Sequence, residues 1–318
     1  MTWRVLVSAP YMLPALAEFR PGLERAGVEV VTIPVRERLS EAELLPVVAT
    51  MDGVICGDDQ FTERVLCQAR RLRVISKWGT GIDSIDVRAA ASLGIRVCNT
   101  PGAFTDPVAD TVLGYILSFA RRLPWMDRDV RNGGWRKADA VALRQCVLGI
   151  VGVGNIGQAV TRRATAFGMT VLGTDPAPMP ASFLAETGIT MAPLSRVLEE
   201  ADFVSLNCDL NPTSYRLIGH AELALMRSSA YLINTARGPL VDESALVAAL
   251  RAGRIAGAAL DVFEVEPLPA DHPLRTMENC LLAPHNANSS RVARQRVHEC
   301  TIANLLRGLH ESHREQER

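Results

Sequence analysis

Three polar residues in the second half of the chain each close an apolar run: Arg237 in INTARGPLVD, Glu266 in ALDVFEVEP and His285 in LLAPHNANSS. Their chemistry is complementary. A guanidinium grips a carboxylate in a bidentate fork, an imidazole titrates near neutrality and can take or return a proton, and an ionised glutamate beside that imidazole favours its charged form. Oxidising a 2-hydroxy acid needs all three: an anchor for the carboxylate, a base for the hydroxyl proton and a group that tunes the base. Each residue also has an ordinary alternative, Arg237 as a helix cap or surface pair, Glu266 as a solvated acid before Pro267, His285 as a satisfied loop histidine. Order and placement single out the set, because His220, His272, His298, His310 and His313 close no apolar run before a turn.

A second constellation lies upstream. In GIVGVGNIG, Gly152, Gly154 and Gly157 stand in G-x-G-x-x-G spacing at the end of the run Val147 to Val151, and Asn155 and Ile156 open a helical pattern carrying Ile156, Val160, Ala164 and Phe167 on one face, stopped by Gly168. Small residues are required where a chain turns sharply and presents backbone amides to a pyrophosphate at a helix N-terminus. The next strand, Met169 to Thr174, ends at Asp175, 23 residues after Gly152. A carboxylate there accepts hydrogen bonds from ribose hydroxyls and repels a 2′-phosphate, which favours NAD over NADP. A glycine triplet alone arises in turns by chance, and Asp before Pro is an ordinary turn former; strand, helix and terminal acid in succession carry the reading.

The elements that must position these groups follow from hydrophobic periodicity. In the first hundred residues short apolar runs, Val5 to Ser8, Val28 to Ile33, Gly53 to Cys56 and Val74 to Lys77, alternate with amphipathic stretches of helical length. That alternation predicts a parallel sheet flanked by helices. The run TDPVADTVLGYILSFARRL (105–123) reads as a long, mostly buried helix opened by polar cap candidates and Pro107. RNGGWRKADA (131–140) reads as a loop or arm. A second series of strands follows at Val147 to Val151, Thr170 to Gly173, Phe203 to Leu206, Tyr231 to Ile233, Ile255 to Leu260 and Leu281 to Ala283. The expected fold class is α/β, with two doubly wound parallel-sheet domains. In such sheets ligands bind outside the carboxyl ends of the strands, where Arg237, Glu266 and His285 would converge.

Bulk composition agrees. With 318 residues, 48% of them hydrophobic, the chain can fill two cores. The 34 basic residues nearly balance 35 acidic ones, so no broad positive field attracts nucleic acid. Seven scattered cysteines without a Cys-x-x-Cys pair read as reduced thiols of a cytoplasmic protein. Pro10 and Pro14 interrupt the N-terminal region, which reads as a strand and not a leader, and no stretch is long and apolar enough to span a membrane. No metal is expected.

The segments KWGTGIDSIDVRAA (77–90), NTPGAFTDPVADTVLGYILSFARR (99–122), GIVGVGNIG, NTARGPLVDESAL, ALDVFEVEP and APHNA occur jointly and in order. In them the chain resembles the D-isomer-specific 2-hydroxyacid dehydrogenases, most of all the branch containing phosphoglycerate dehydrogenases. The resemblance implies a Rossmann NAD-binding domain over 101–287, inserted in a flavodoxin-like substrate domain of 1–100 plus 288–318 that takes in a last helix, Val292 to Leu309. It implies that Arg237, Glu266 and His285 are the substrate-binding Arg and the catalytic Glu and His. The cofactor would meet Thr80, Gly152, Gly154, Asn155, Ile156, Gly157, Asp175, Cys208, Thr235, Ala236, Arg237, Asp261, His285 and Asn288, with Asp261 placed to hold the nicotinamide carboxamide. Substrate would meet Lys77, Trp78, Gly79, Thr80 and Gly81, as well as Arg237 and His285. A homodimer built through the cofactor domain is implied, which would give the arm around Trp135 a role.

Some positions depart from the family pattern. Asn286, Ala287 and Asn288 follow His285 where relatives often carry Ile or Thr and then small residues, Asn207-Cys208-Asp209 replaces a common His-x-Pro, and Asp110 stands where Glu is usual. Lys77 suits a phosphorylated substrate, yet Asp58 and Asp59 oppose a phosphate, so a non-phosphorylated acid is expected; the alternative is that the two acids simply start a helix at Phe61. The chain stops soon after Leu309, so no C-terminal regulatory domain is expected. A redox-sensing, corepressor-like binding protein with little turnover shares the fold and the same residues, and turnover separates the two. A formate or phosphite oxidiser is a nearer alternative, opposed on the formate side by Glu266, where that branch carries Gln.

Overall fold

A computed structural model of the chain describes residues 2–316, arranged in two compact units, Met1–Phe104 with Ser290–Arg318 and Thr105–Ser289. The divisions fall four and two residues beyond the expected boundaries.

In the first unit five parallel strands, β1 (Trp3–Val7), β2 (Val28–Thr32), β3 (Gly53–Cys56), β4 (Val74–Lys77) and β5 (Arg96–Cys98), lie in the order β2-β1-β3-β4-β5. This is the flavodoxin-like order. The central strands β3 and β4 are buried along their whole length, which is why they read as unbroken apolar runs and not as an alternation. Leu6, Val54, Phe61 and Ile75 are fully buried on one side of the sheet. The final helix, Arg291–Gln316, packs its buried Leu305 and Leu309 onto β3 and β4, where Gly53 and Gly308 let backbones approach closely. It runs seven residues past the expected Leu309 because that stretch contains neither Gly nor Pro to stop it.

The second unit has seven parallel strands: β6 (Val147–Val151), β7 (Thr170–Thr174), β8 (Thr190–Met191), β9 (Phe203–Leu206), β10 (Tyr231–Asn234), β11 (Gly257–Leu260) and β12 (Cys280–Leu282). Their order, β12-β11-β10-β9-β6-β7-β8, is that of a Rossmann sheet whose winding direction reverses between β6 and β9. One face is covered by the helix Thr105–Ala120, which buries Val108, Val112, Ile116 and Phe119 at helical spacing. That helix stops short of the expected position 123. Arg122 takes a left-handed conformation (φ 56°), and a second helix, Leu123–Arg131, restarts with Pro124 in its first turn where no separate helix was expected. The following arm is closed by Asp129, which accepts from the Arg136 amide at 3.0 Å and its guanidinium at 2.8 Å, and leaves Trp135 81% exposed. Strands β5 and β8 were not anticipated, since runs of three and two residues carry no periodicity. No helix among the described residues is long and apolar enough to cross a membrane.

Candidate active site

The glycine loop connects β6 to the helix Asn155–Ala166 at the winding reversal. Gly152 has φ +89°, and a Cβ there would sit 2.6 Å from the Cys208 amide nitrogen; a Cβ on Gly157 would sit 2.1 Å from the Gly152 carbonyl oxygen. These two glycines are dictated by the chain's own packing. Gly154 differs: nothing lies within 4 Å of where its Cβ would be, and it caps the helix without a side-chain acceptor for the first amides. An open, amide-lined cradle at a helix N-terminus fits a dinucleotide pyrophosphate. At the tip of β7, Asp175 accepts from the Val153 amide at 2.7 Å and the Ala177 amide at 2.8 Å, which fixes its carboxylate beside that loop. Beyond β10, the hydroxyl of Thr235 is buried and has no hydrogen-bond partner among the described residues, a further group suited to a bound molecule. Burial pushes the Cys208 thiol up to about 11, so it enters this region neutral.

Arg237, Glu266 and His285 follow the carboxyl ends of β10, β11 and β12, three adjacent strands. The His285 Nδ1 lies 3.0 Å from Glu266 Oε2, with the two side chains 28% and 24% exposed. The other Glu266 oxygen accepts from the Phe263 amide at 2.9 Å. Arg237 sits in a turn closed by buried Asn234, whose Oδ1 accepts from the Ala236 amide and whose Nδ2 donates to the Arg237 carbonyl at 2.8 Å.

The three loops are stitched together. Gly238 approaches the next loop so closely that a Cβ would overlap the Phe263 carbonyl carbon at 1.9 Å, so the Arg237 turn and the Glu266 turn share a backbone contact only glycine permits. Asp261, 1% exposed, accepts from the Asn286 and Ala287 amides, each at 2.8 Å, one on each carboxylate oxygen. Burial pushes the Asp261 carboxyl upward, with those amides pulling the other way. His285 itself has φ +49°, a conformation L residues avoid at a cost of about 1–3 kcal/mol. Asp261 holds that turn, a role that its expected contact with a carboxamide did not include.

In the first unit, Lys77 ends β4 and Trp78, Gly79, Thr80 and Gly81 follow, with Gly79 at φ +122° and its carbonyl accepting from the Thr100 amide at 2.9 Å. Lys77 is 4% exposed and its Nζ lies 3.1 Å from Asp58 Oδ1. Trp78 is buried and donates from Nε1 to His298 Nδ1 at 3.0 Å. The helix begins at Glu63 under a Thr62 cap, so Asp58 and Asp59 do not start it at Phe61 as the alternative reading had it; Asp59 accepts from the Leu39 amide at 2.7 Å and the Ser8 hydroxyl at 2.5 Å. Burial pushes Asp59 up to about 6.

Three of the positions that depart from the family pattern make local contacts. Asn207 bonds back to Ser205 at 3.1 Å, and the Asn286 amide serves the Asp261 turn. Asp110 pairs with Arg163 at 2.7 Å, joined by Asp106 at 2.9 Å. Sequence reasoning passed over His272, which pairs with Glu243 at 3.0 Å behind the Glu266 loop. It stands in a charged turn, and only its spacing from Glu243 in the fold reveals a partner.

Comparison with known proteins agrees with the geometry. A "Glyoxylate reductase" of Korarchaeum cryptofilum is 44% identical over 254 residues, 78% of this chain and 76% of that protein. The solved structure of a protein from Thermus thermophilus is 39% identical with a TM-score of 0.84, covering 97% of both chains. That of a D-lactate dehydrogenase from Aquifex aeolicus, in complex with NAD and lactic acid, is 26% identical with a TM-score of 0.85 over 98% of this chain and 97% of that one. Residues 113–287 match the family described as "D-isomer specific 2-hydroxyacid dehydrogenase, NAD binding domain". A glycine cradle after β6 and an Arg, Glu and His set on three neighbouring strand ends are thus carried by a chain that belongs to the D-isomer-specific 2-hydroxyacid dehydrogenases, NAD-dependent oxidoreductases of 2-hydroxy and 2-oxo acids.

Proposed function

We propose that this protein interconverts a small, non-phosphorylated 2-oxo acid of the glyoxylate or hydroxypyruvate kind and its D-2-hydroxy acid, with His285 as the acid-base group, Glu266 as its partner and Arg237 as the carboxylate anchor. The observation that carries this reading is the 3.0 Å contact between His285 Nδ1 and Glu266 Oε2. With Nδ1 engaged, the proton exchanged with substrate is carried on Nε2, delivered to the carbonyl oxygen in reduction and taken from the hydroxyl in oxidation. Bound NADH supplies the hydride. Arg237 holds the carboxylate in a two-point grip that fixes which carbon is presented. Asp58, 3.1 Å from Lys77, already neutralises the cation a phosphate would need, which supports a substrate without one. The relative named glyoxylate reductase supports the same class.

Gly152, Gly154, Asn155, Ile156, Gly157, Asp175, Cys208, Thr235, Ala236 and Asn288 line the cofactor path in this reading, with Asp175 selecting NAD over NADP. A second copy of the chain covers the exposed Trp135 and an adjoining groove of about 490 Å³ walled by Phe119, Trp125, Arg136 and Tyr231, forming a dimer through this unit.

The deciding experiment is NADH consumption by purified protein with glyoxylate, hydroxypyruvate, pyruvate and phosphohydroxypyruvate. Turnover is expected with the first two, falling about two to four orders of magnitude in His285→Ala while NADH still binds. Tight NADH binding without turnover of any member overturns the proposal.

A further inference from the structure

We propose that Glu243 and His272 are positioning residues that hold the turn Phe263–Glu266 and, through it, the Glu266 carboxylate against His285. The inference rests on the roles of His285 and Glu266 proposed above.

His272 precedes the short turn Pro273–Thr276, and its Nδ1 accepts from the Leu274 amide at 3.3 Å. With Nδ1 accepting, the ring hydrogen resides on Nε2, which donates to Glu243 Oε1 at 3.0 Å. The other Glu243 oxygen, Oε2, accepts from the Glu264 amide at 3.3 Å, and Glu264 Oε1 accepts in return from the Glu243 amide at 3.4 Å. Two bonds of opposite sense thus tie the first turn of the helix Glu243–Arg251 to the loop after β11. Arg216 adds a third tie, reaching Glu264 at 3.5 Å and Asp242 at 3.4 Å.

This clamp grips the chain two residues before Glu266 and one after Phe263, whose amide fixes Glu266 Oε1. Its cost is real. Glu243 and His272 are only 13% and 20% exposed, and Glu243 is buried near two further acids, Glu264 and Glu266. Desolvating a carboxylate among other carboxylates opposes folding. An apolar pair would fill the space with less penalty but could not grip the Glu264 amide. A displacement of the Glu266 carboxylate by about 1 Å is enough to lower turnover about a hundredfold.

Two substitutions separate this role from simple capping of the 273–276 turn. His272→Asn puts an acceptor where Nδ1 stands, keeping the Leu274 contact while losing reach to Glu243. His272→Gln puts a donor where Nε2 stands and keeps the Glu243 contact. The readouts are kcat with hydroxypyruvate, KM for NADH, and the downfield proton NMR resonance of the His285 Nδ1–H bonded to Glu266, assigned by its loss in His285→Ala. H272N is expected to lose about tenfold to a hundredfold in kcat with unchanged KM for NADH, and to lose or broaden the resonance. H272Q is expected to stay within about threefold of the parent, and Glu243→Ala to reproduce H272N. The inference is overturned if H272N keeps parental kcat and a sharp resonance, if H272Q falls as far as H272N, or if the parent shows no such resonance. Because the resonance needs no turnover, a protein that reduces none of the acids but loses the resonance in H272N and keeps it in H272Q refutes the proposed activity and leaves the clamp standing.

Discussion

The backbone amide of His285 donates to the Asp261 carbonyl at 2.7 Å, while the two amides that follow His285 close on the Asp261 carboxylate. One buried acid therefore holds a histidine in a left-handed conformation that its own sequence does not favour. Asp261→Asn offers one acceptor oxygen to two amides and sets an NH2 group against the second. Leaving a buried donor unmet costs about 1–3 kcal/mol. The variant is expected to fold, to bind NADH with affinity reduced by less than its turnover, and to lose at least about tenfold in kcat. Steady-state kinetics beside a fluorescence titration of NADH measures both. A variant with parental kcat would show that the turn holds its shape without the carboxylate.

The glycine loop makes a separable prediction. Alanine at position 152 meets the Cys208 amide and requires φ +89°, whereas alanine at 154 meets nothing within 4 Å. Gly152→Ala is expected to destabilise the fold by several kcal/mol, visible as a lowered melting temperature. Gly154→Ala is expected to keep the parental melting temperature and lose NADH affinity at least about tenfold, because its methyl group occupies the space read as the pyrophosphate cradle. Unchanged NADH affinity in that variant would place the cofactor elsewhere.

Much of this was legible in the chain itself, and the exceptions have physical reasons. Buried parallel strands announce themselves as apolar runs, and the residue that ends each run marks a carboxyl edge, which is how Arg237, Glu266 and His285 stand out. The glycine triplet is legible because two of its members are forced by packing. What stayed hidden depends on tertiary partners. His272 becomes informative only beside Glu243, 29 residues away, and the Asp58–Lys77 pair joins two strand ends. The break at Arg122 was missed because the apolar periodicity runs on while one left-handed residue ends the helix. Nothing in the residue type of Asp59 shows that it neither opposes a phosphate nor starts a helix; it is buried against Ser8 and Leu39.

Asp175 tests cofactor choice without touching the reacting groups. Its carboxylate is anchored by the Val153 and Ala177 amides and points a fixed negative charge beside the loop. A 2′-phosphate brought near that charge is repelled by several kcal/mol. Asp175→Asn removes the charge and keeps an acceptor, so the ratio of kcat/KM for NADPH to that for NADH is expected to rise by at least about tenfold. Paired measurements at one substrate concentration give the ratio, and an unchanged value would mean that another residue excludes the phosphate.

Asp59 predicts how stability follows pH. Burial holds its carboxyl protonated up to about 6, above the ordinary carboxylate value of 3.8. Between those values the folded chain binds more protons than the unfolded one, so stability falls as pH rises. The contribution is fully present below pH 3.8 and is lost as pH climbs through about 6, where a buried anion must be accommodated against the repulsion of Asp58 and with the attraction of Lys77. Asp59→Asn cannot ionise and so escapes this loss. Relative to the parent it is expected to gain on the order of 2 kcal/mol between pH 4 and pH 7. Parallel denaturation of the two proteins across that range measures the difference. Curves that keep a constant separation would show that the parental carboxyl titrates at its ordinary value, with Lys77, Ser8 and the Leu39 amide outweighing burial.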